Sequence, residues 1–185
     1  TALNFLQHLS GIATTTAHYV HAVRDLPVHI TDTRKTIPSL RILQKYAVRM
    51  GGGHSHRQNL GDGILIKDNH IEALTRRGMN LRDMLLQARA RAPHTLQIEV
   101  EVETVDQAKE ALESKPDILL LDNMELQAMR EVVELSKGRV VIEASGGITL
   151  ETVRAIAKTG VGVISIGALT HSANSLDLSL EVESF

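Results

Sequence analysis

The strongest constraint on this chain is a rhythm. Short apolar runs rich in β-branched residues recur at Val28 to Thr31, Gly63 to Ile66, Ile98 to Val102, Ile118 to Leu121, Val140 to Ile142 and Val163 to Ile166. The last four begin roughly twenty residues apart, and each gap holds one segment of helical period. Strands separated by helices in this way build βαβ units and a parallel sheet. The runs are almost wholly apolar, as strands covered on both faces must be. Helical patterns fall near 40–50, 81–92, 105–114, 126–136 and 150–159, with Thr104 and Thr149 as N-caps. An N-terminal helix is predicted within residues 1–26, with Ser10-Gly11 as the place where it would break and Pro27 beyond its end. No G-x-G-x-x-G follows the first strand, so the expected fold is an α/β parallel barrel of the TIM type. With six to seven strands it would be open or incomplete.

A chain of 185 residues suffices for one domain with a sizeable core, and two would be a squeeze. A net charge of −2 and aromatics at 2% argue against nucleic acid as a partner. Without cysteine there are no disulfides or thiolate metal sites. No run approaches the length of a membrane span, and no leader precedes the first helix, so a soluble, cytoplasmic protein is expected.

The balanced total hides a local excess of positive charge. Between Thr33 and Gly61 there is no Asp or Glu, yet Arg34, Lys35, Arg41, Lys45, Arg49 and Arg57 lie there. Arg41, Lys45 and Arg49 recur every four residues opposite Leu40, Leu43, Ala47 and Met50, the pattern of a solvated stripe on an amphipathic helix. Arg34-Lys35, His56-Arg57 and Lys67 instead sit where strands and helices meet loops, which is where binding residues concentrate. They predict a pocket for a small polyanion.

Position sharpens this expectation. Asp32-Thr-Arg-Lys follows the first strand, Lys67 the second, Glu101 and Glu103 close the third, Asp122-Asn the fourth, Glu143-Ala-Ser-Gly-Gly the fifth and Gly167-Ala the sixth. Barrel enzymes place their chemistry at these C-terminal strand ends. In Glu99-Val-Glu-Val-Glu103 the alternation puts three carboxylates on one face, which reads either as an edge strand with one wet face or as part of a mouth. Glu101 and Asp122 could hold sugar hydroxyls or, through water, Mg²⁺; alternatively Asp122 simply caps the next helix. Ser145-Gly-Gly and Gly167-Ala offer unobstructed backbone N–H groups near helix starts, suited to phosphate, although each alone is a common turn. His54, His56 and His70 could form a metal trio, but Gly51-Gly-Gly spoils the strand they would need and Arg57 would repel a cation.

Taken in order, Thr1-Ala-Leu-Asn, Ser10-Gly-Ile-Ala, Asp32-Thr-Arg-Lys-Thr, Lys45-Tyr-Ala-Val-Arg, Gly51-Gly-Gly-His-Ser-His-Arg, Ile66-Lys-Asp-Asn-His, Glu99-Val-Glu-Val, Leu121-Asp-Asn, Ser145-Gly-Gly and Gly167-Ala-Leu-Thr resemble the quinolinate phosphoribosyltransferase family over nearly the whole chain. The resemblance implies that quinolinate and phosphoribosyl pyrophosphate (PRPP) are joined, with Mg²⁺, to give nicotinate mononucleotide, pyrophosphate and carbon dioxide. It implies that Thr33, Arg34, Lys35, His56, Arg57 and Lys67 line the dicarboxylate and pyrophosphate pocket. Glu101 and Asp122 would face the ribose and metal, with Ser145, Gly146, Gly147, Ile166, Gly167, Ala168 and His171 around the phosphate. Lys35, Lys67, Glu101 and Asp122 would be catalytic.

Family members also carry a separate N-terminal domain and an Arg just before Thr-Ala-Leu-Asn that reaches into the neighbouring subunit of a homodimer. Residues 1–185 contain neither, so the isolated chain is expected to be inactive or badly impaired and to expose an apolar patch. Ser55 stands where the family favours Asn. The alternatives are a relative acting on another pyridine or base, as in the molybdenum-associated type, or a barrel fragment without activity.

Overall fold

The structure is a computed structural model in which residues 1–183 are described. Six strands form one all-parallel sheet: β1 (His29–Thr31), β2 (Ile64–Ile66), β3 (Ile98–Val102), β4 (Ile118–Asp122), β5 (Val141–Ser145) and β6 (Val163–Ser165). Their spatial order is β1-β6-β5-β4-β3-β2, an open barrel with β1 and β2 as its edges. The helices are α1 (Ala2–Ala22), α2 (Arg41–Met50), α3 (Asp68–Thr75), α4 (Leu81–Arg91), α5 (Val105–Glu113), α6 (Leu126–Ser136), α7 (Leu150–Ala157) and α8 (Ala168–His171). No helix among the described residues is long and apolar enough to cross a membrane.

The core lies between the sheet's outer face and the helices. Ile98, Val100, Val102, Leu119, Leu121, Ile142, Ala144 and Ile164 point outward and are buried beneath Ala108, Met129, Val132, Val153 and Ile156. The alternate residues point inward, and many are polar. Register places Glu101 beside Leu120, Leu120 beside Glu143, and Asp122 beside Ser145. Strand β3 is therefore interior, not the wet edge its alternation also allowed, and all five of its residues are buried. Glu99 and Glu101 point into the barrel, with Glu101 at its mouth.

Thr104 and Thr149 cap α5 and α7 with reciprocal capping boxes, as expected. Other expectations change. Helix α1 does not break at Ser10-Gly11, because Gly11 seats the C-terminal tail: a Cβ there would lie 1.9 Å from the Asn174 carbonyl oxygen. Helices α3 and α8 follow so closely on Lys67 and Gly167 that the sequence pattern merged them with the strand ends.

Helix α2 is also rotated from the expected orientation, although Ala47 is buried and Arg49 exposed as anticipated. Gln44, Lys45, Ala47 and Val48 are buried, whereas Ile42, Tyr46 and Met50 are 72%, 50% and 60% exposed. Lys45 belongs to the interior and not to a solvated stripe. With Phe5 and Leu6 of α1, this apolar face of α2 remains open to solvent.

Candidate active site

Asp32 directly follows β1 and is wholly buried, and its partner is Lys45 of α2, also wholly buried. Burial pushes the Asp32 carboxyl up and the Lys45 ammonium down, each against the pull of the other. The pair organises a loop. Asp32 Oδ1 accepts the His56 N–H at 2.9 Å, and Lys45 Nζ donates to the His56 carbonyl at 3.0 Å. His54 forms an isolated bridge to Thr31, so the Gly51–Arg57 segment lies along β1 in the gap of the open barrel. A second buried hub, Gln44, accepts the Ile37 N–H at 2.9 Å and donates to the Thr170 carbonyl at 3.1 Å. Thr170 Oγ1 donates to the Lys35 carbonyl at 2.7 Å, tying the Arg34-Lys35 loop to α8.

These ties bring all the anticipated residues to one hollow. A cavity of about 780 Å³ at the C-terminal strand ends is lined by Thr33, Arg34, Lys35, His56, Arg57, Lys67, Glu101, Asp122, Ser145, Gly146, Gly147, Ile166, Gly167, Ala168 and His171. Lys67 Nζ donates to Glu101 Oε2 at 2.9 Å. Among the described residues Arg34, Lys35 and Arg57 have no carboxylate within ion-pair distance, and the buried Nε atoms of Arg34 and Arg57 have no partner. Buried guanidinium donors left unmade are costly unless an anion takes them.

The turns after β5 and β6 suit phosphate. Gly146 and Gly147 adopt φ of +95° and +57°, and a Cβ on Gly146 would lie 2.2 Å from Asn123 Oδ1. Among the described residues, no carbonyl or side chain accepts the N–H groups of Gly146, Gly147, Gly167 or Ala168. This turn and the start of α8 thus present free donors to the same space.

Within the family described as "Quinolinate phosphoribosyl transferase, C-terminal domain", the match covers residues 12–181. The chain belongs to the quinolinate phosphoribosyltransferase family. It is 48% identical over 180 residues to a "Probable nicotinate-nucleotide pyrophosphorylase [carboxylating]" of Bacillus subtilis, covering 97% of this chain and 61% of the relative. A Mycobacterium leprae "Nicotinate-nucleotide pyrophosphorylase [carboxylating]" is 46% identical over 98% of this chain and 63% of its own length. The solved structure of NadC from Streptococcus pyogenes superposes with a TM-score of 0.91 at 48% identity, over 98% of this chain and 62% of that one. The chain thus spans about three fifths of the length of the relatives it matches.

The histidine trio is not assembled in this barrel. His54 packs its ring on His29 with centroids 4.4 Å apart, and His70 Nδ1 accepts the Lys67 N–H at the start of α3. Only His56 enters the site, and its neighbours are Glu99 and Glu143, with Nε2 3.5 Å and 3.3 Å from their carboxylates. Burial alone would push His56 down, but hydrogen bonds to Glu143 and Glu99 raise it to about 9. The ring's Nδ1 also accepts the Arg57 N–H at 2.7 Å, which an imidazolium could not do. The two facts share one proton count, since an Nε2–H imidazole beside a protonated Glu99, itself pushed up by burial, holds as many protons as an imidazolium between two carboxylates. We favour the first arrangement because it satisfies both ring nitrogens.

A pH prediction follows. The cluster holds its extra proton more tightly in the folded chain than a free histidine does, for which the usual value is 6.5. Its stabilisation is complete below that value and is lost as pH rises through about 9. Urea unfolding at pH 6 and pH 9.5 should differ by roughly 2–3 kcal/mol, with a smaller difference in His56→Gln. An equal pH dependence in both proteins would contradict it.

Lys45, Gln44, Glu99, Glu143 and Thr170 were not among the anticipated site residues. For Glu99 and Glu143 the signal was present, as acidic positions inside apolar strands. For Lys45 and Gln44 it was masked by the four-residue recurrence of Arg41, Lys45 and Arg49, which reads as a solvated stripe.

Proposed function

We propose that this chain is the catalytic barrel of an enzyme that transfers the phosphoribosyl group of PRPP to quinolinate and releases pyrophosphate and carbon dioxide. One observation carries the reading: unpaired guanidinium and ammonium groups line the same cavity as two carboxylates and two donor-rich glycine turns. The names of the relatives, nicotinate-nucleotide pyrophosphorylase and quinolinate phosphoribosyltransferase, support it.

Arg34 and Arg57 would fork onto the two carboxylates of the pyridine ring, assisted by Lys67, and fix the ring nitrogen toward the ribose. That nitrogen attacks with its own lone pair, so no general base is needed. Glu101 and Asp122 would stabilise the positive charge that grows on the sugar as pyrophosphate departs, and Lys35 the negative charge on the leaving group. The 5′-phosphate would rest on Gly146, Gly147, Gly167 and Ala168, beside Ser145 and His171. Alkylation makes the nitrogen an electron sink, so the adjacent carboxylate leaves as carbon dioxide from a ring that is merely held in place.

Mg²⁺ fits this donor set. Glu101 Oε2 is taken by Lys67 and Asp122 Oδ2 by Asn123 at 2.9 Å, which leaves one oxygen on each carboxylate uncommitted. Two carboxylates without a full cage suit an ion that keeps waters and substrate phosphates. When bound it would neutralise charge on the pyrophosphate. The apolar face of α2 supports a homodimer, and sedimentation of the chain at rising concentration tests it.

Turnover of quinolinate with PRPP and Mg²⁺ tests the reaction, and calorimetry with each substrate tests the site even if turnover needs residues outside 1–185. Asp122→Asn is expected to lower kcat about tenfold to a hundredfold while leaving quinolinate affinity near normal. No heat with either substrate would overturn the reading.

A further inference from the structure

Two carboxylates enter the barrel from β3 and β5, on either side of β4, and converge on one ring. Glu99 and Glu143 are each 3% exposed; among the described residues the buried Glu99 Oε1 has no hydrogen-bond partner, and the buried Glu143 Oε1 faces His56 Nε2 at 3.3 Å. We infer that Glu99 and Glu143 are positioning residues for Arg57, acting through the ring of His56, and so decide where a ligand carboxylate is bound. The ligand rests on the function proposed above; the positioning itself does not.

The contacts run in one line. The carboxylates meet Nε2 at 3.3 Å and 3.5 Å, and on the far side of the ring Nδ1 accepts the Arg57 N–H at 2.7 Å. A neutral imidazole has one N–H and one lone pair, so an accepting Nδ1 makes Nε2 the donor to the carboxylates. The ring thereby connects the cavity floor to the Arg57 backbone. Residue 56 is also fixed at its amide by Asp32 and at its carbonyl by Lys45. Among the described residues the Arg57 guanidinium makes a single bond, Nη1 to the Gly63 carbonyl at 3.2 Å, and its Nε makes none. Its backbone is held and its fork is left for a ligand.

Two other accounts explain less. His56, Glu99 and Glu143 have metal-ligand spacing, but the proton on Nε2 occupies the lone pair a metal would need. As a purely structural feature the pair is wasteful. Leu120 fills the same level of the barrel between Glu143 and Glu101, and apolar replacement of buried ionic groups is often neutral or stabilising.

The test compares Glu99→Leu/Glu143→Leu and Glu143→Gln with the parent chain, using ¹⁵N-labelled protein. Pyridine-2,3-dicarboxylate and inorganic pyrophosphate are the probes. The double variant is expected to fold, to shift the His56 ring and Arg57 amide resonances, and to bind the dicarboxylate about tenfold more weakly with pyrophosphate affinity unchanged. Glu143→Gln should move the same resonances, and its affinities decide the matter if the double variant does not fold. Unchanged His56 and Arg57 signals, or equal losses for both probes, would overturn the inference. A parent chain that ignores the dicarboxylate would instead sink the proposed function, and the resonances alone would then decide the positioning.

Discussion

Lys45→Met is expected to destabilise the fold by about 3–5 kcal/mol, the usual cost of removing one partner from a buried ion pair. Lys45 and Asp32 are both wholly inaccessible, and Asp32 Oδ2 already lacks a partner. Without the ammonium, Asp32 would have to take up a proton or drag in water, and the His56 carbonyl would lose its donor. For a domain of this size the loss corresponds to a melting point lower by about 10 °C. The thermal midpoint of Lys45→Met checks this, and Asp32→Asn/Lys45→Met provides the control. The double variant should recover part of the loss because no charge is left unpaired. A single variant that melts within about 2 °C of the parent would show that the pair contributes little.

Arg57→Ala is expected to weaken quinolinate binding by roughly a hundredfold to a thousandfold, as loss of a charged group from a desolvated pair does. The side chain lies in the cavity with no carboxylate partner among the described residues, so nothing in the protein replaces it. PRPP should bind nearly as before, because the glycine turns that would hold its phosphate follow β5 and β6, whereas the Arg57 guanidinium rests against Gly63 beside β2. Titration calorimetry with each substrate separates the two effects. Comparable losses for both would mean that Arg57 serves the pyrophosphate or the loop's shape, not the dicarboxylate.

These predictions come from different levels of information. Arg57 stood out through the stretch from Thr33 to Gly61 that has no acidic residue, whereas Lys67, Asp122 and Gly146 were legible in the sequence because each stands at the end of an apolar run, and a parallel barrel gathers such positions at one end. The strands were legible for the same reason. The cluster of His56 with Glu99 and Glu143 was not, since it joins residues more than forty positions apart and depends on which strands become neighbours.

Helix α2 marks the boundary most clearly. Its sequence gathers Arg41, Lys45 and Arg49 on one side, and periodicity alone turns that side to solvent. The choice is made by Asp32, which is buried at the end of β1 and needs a cation, so Lys45 turns inward and Ile42, Tyr46 and Met50 turn out. The sequence by itself thus determined the order of the elements and the rim on which the polar residues would gather, because local periodicity and turn chemistry act over a few residues. Only the tertiary structure decided which charges are buried together and which remain free to bind, because desolvation depends on everything that packs around a group.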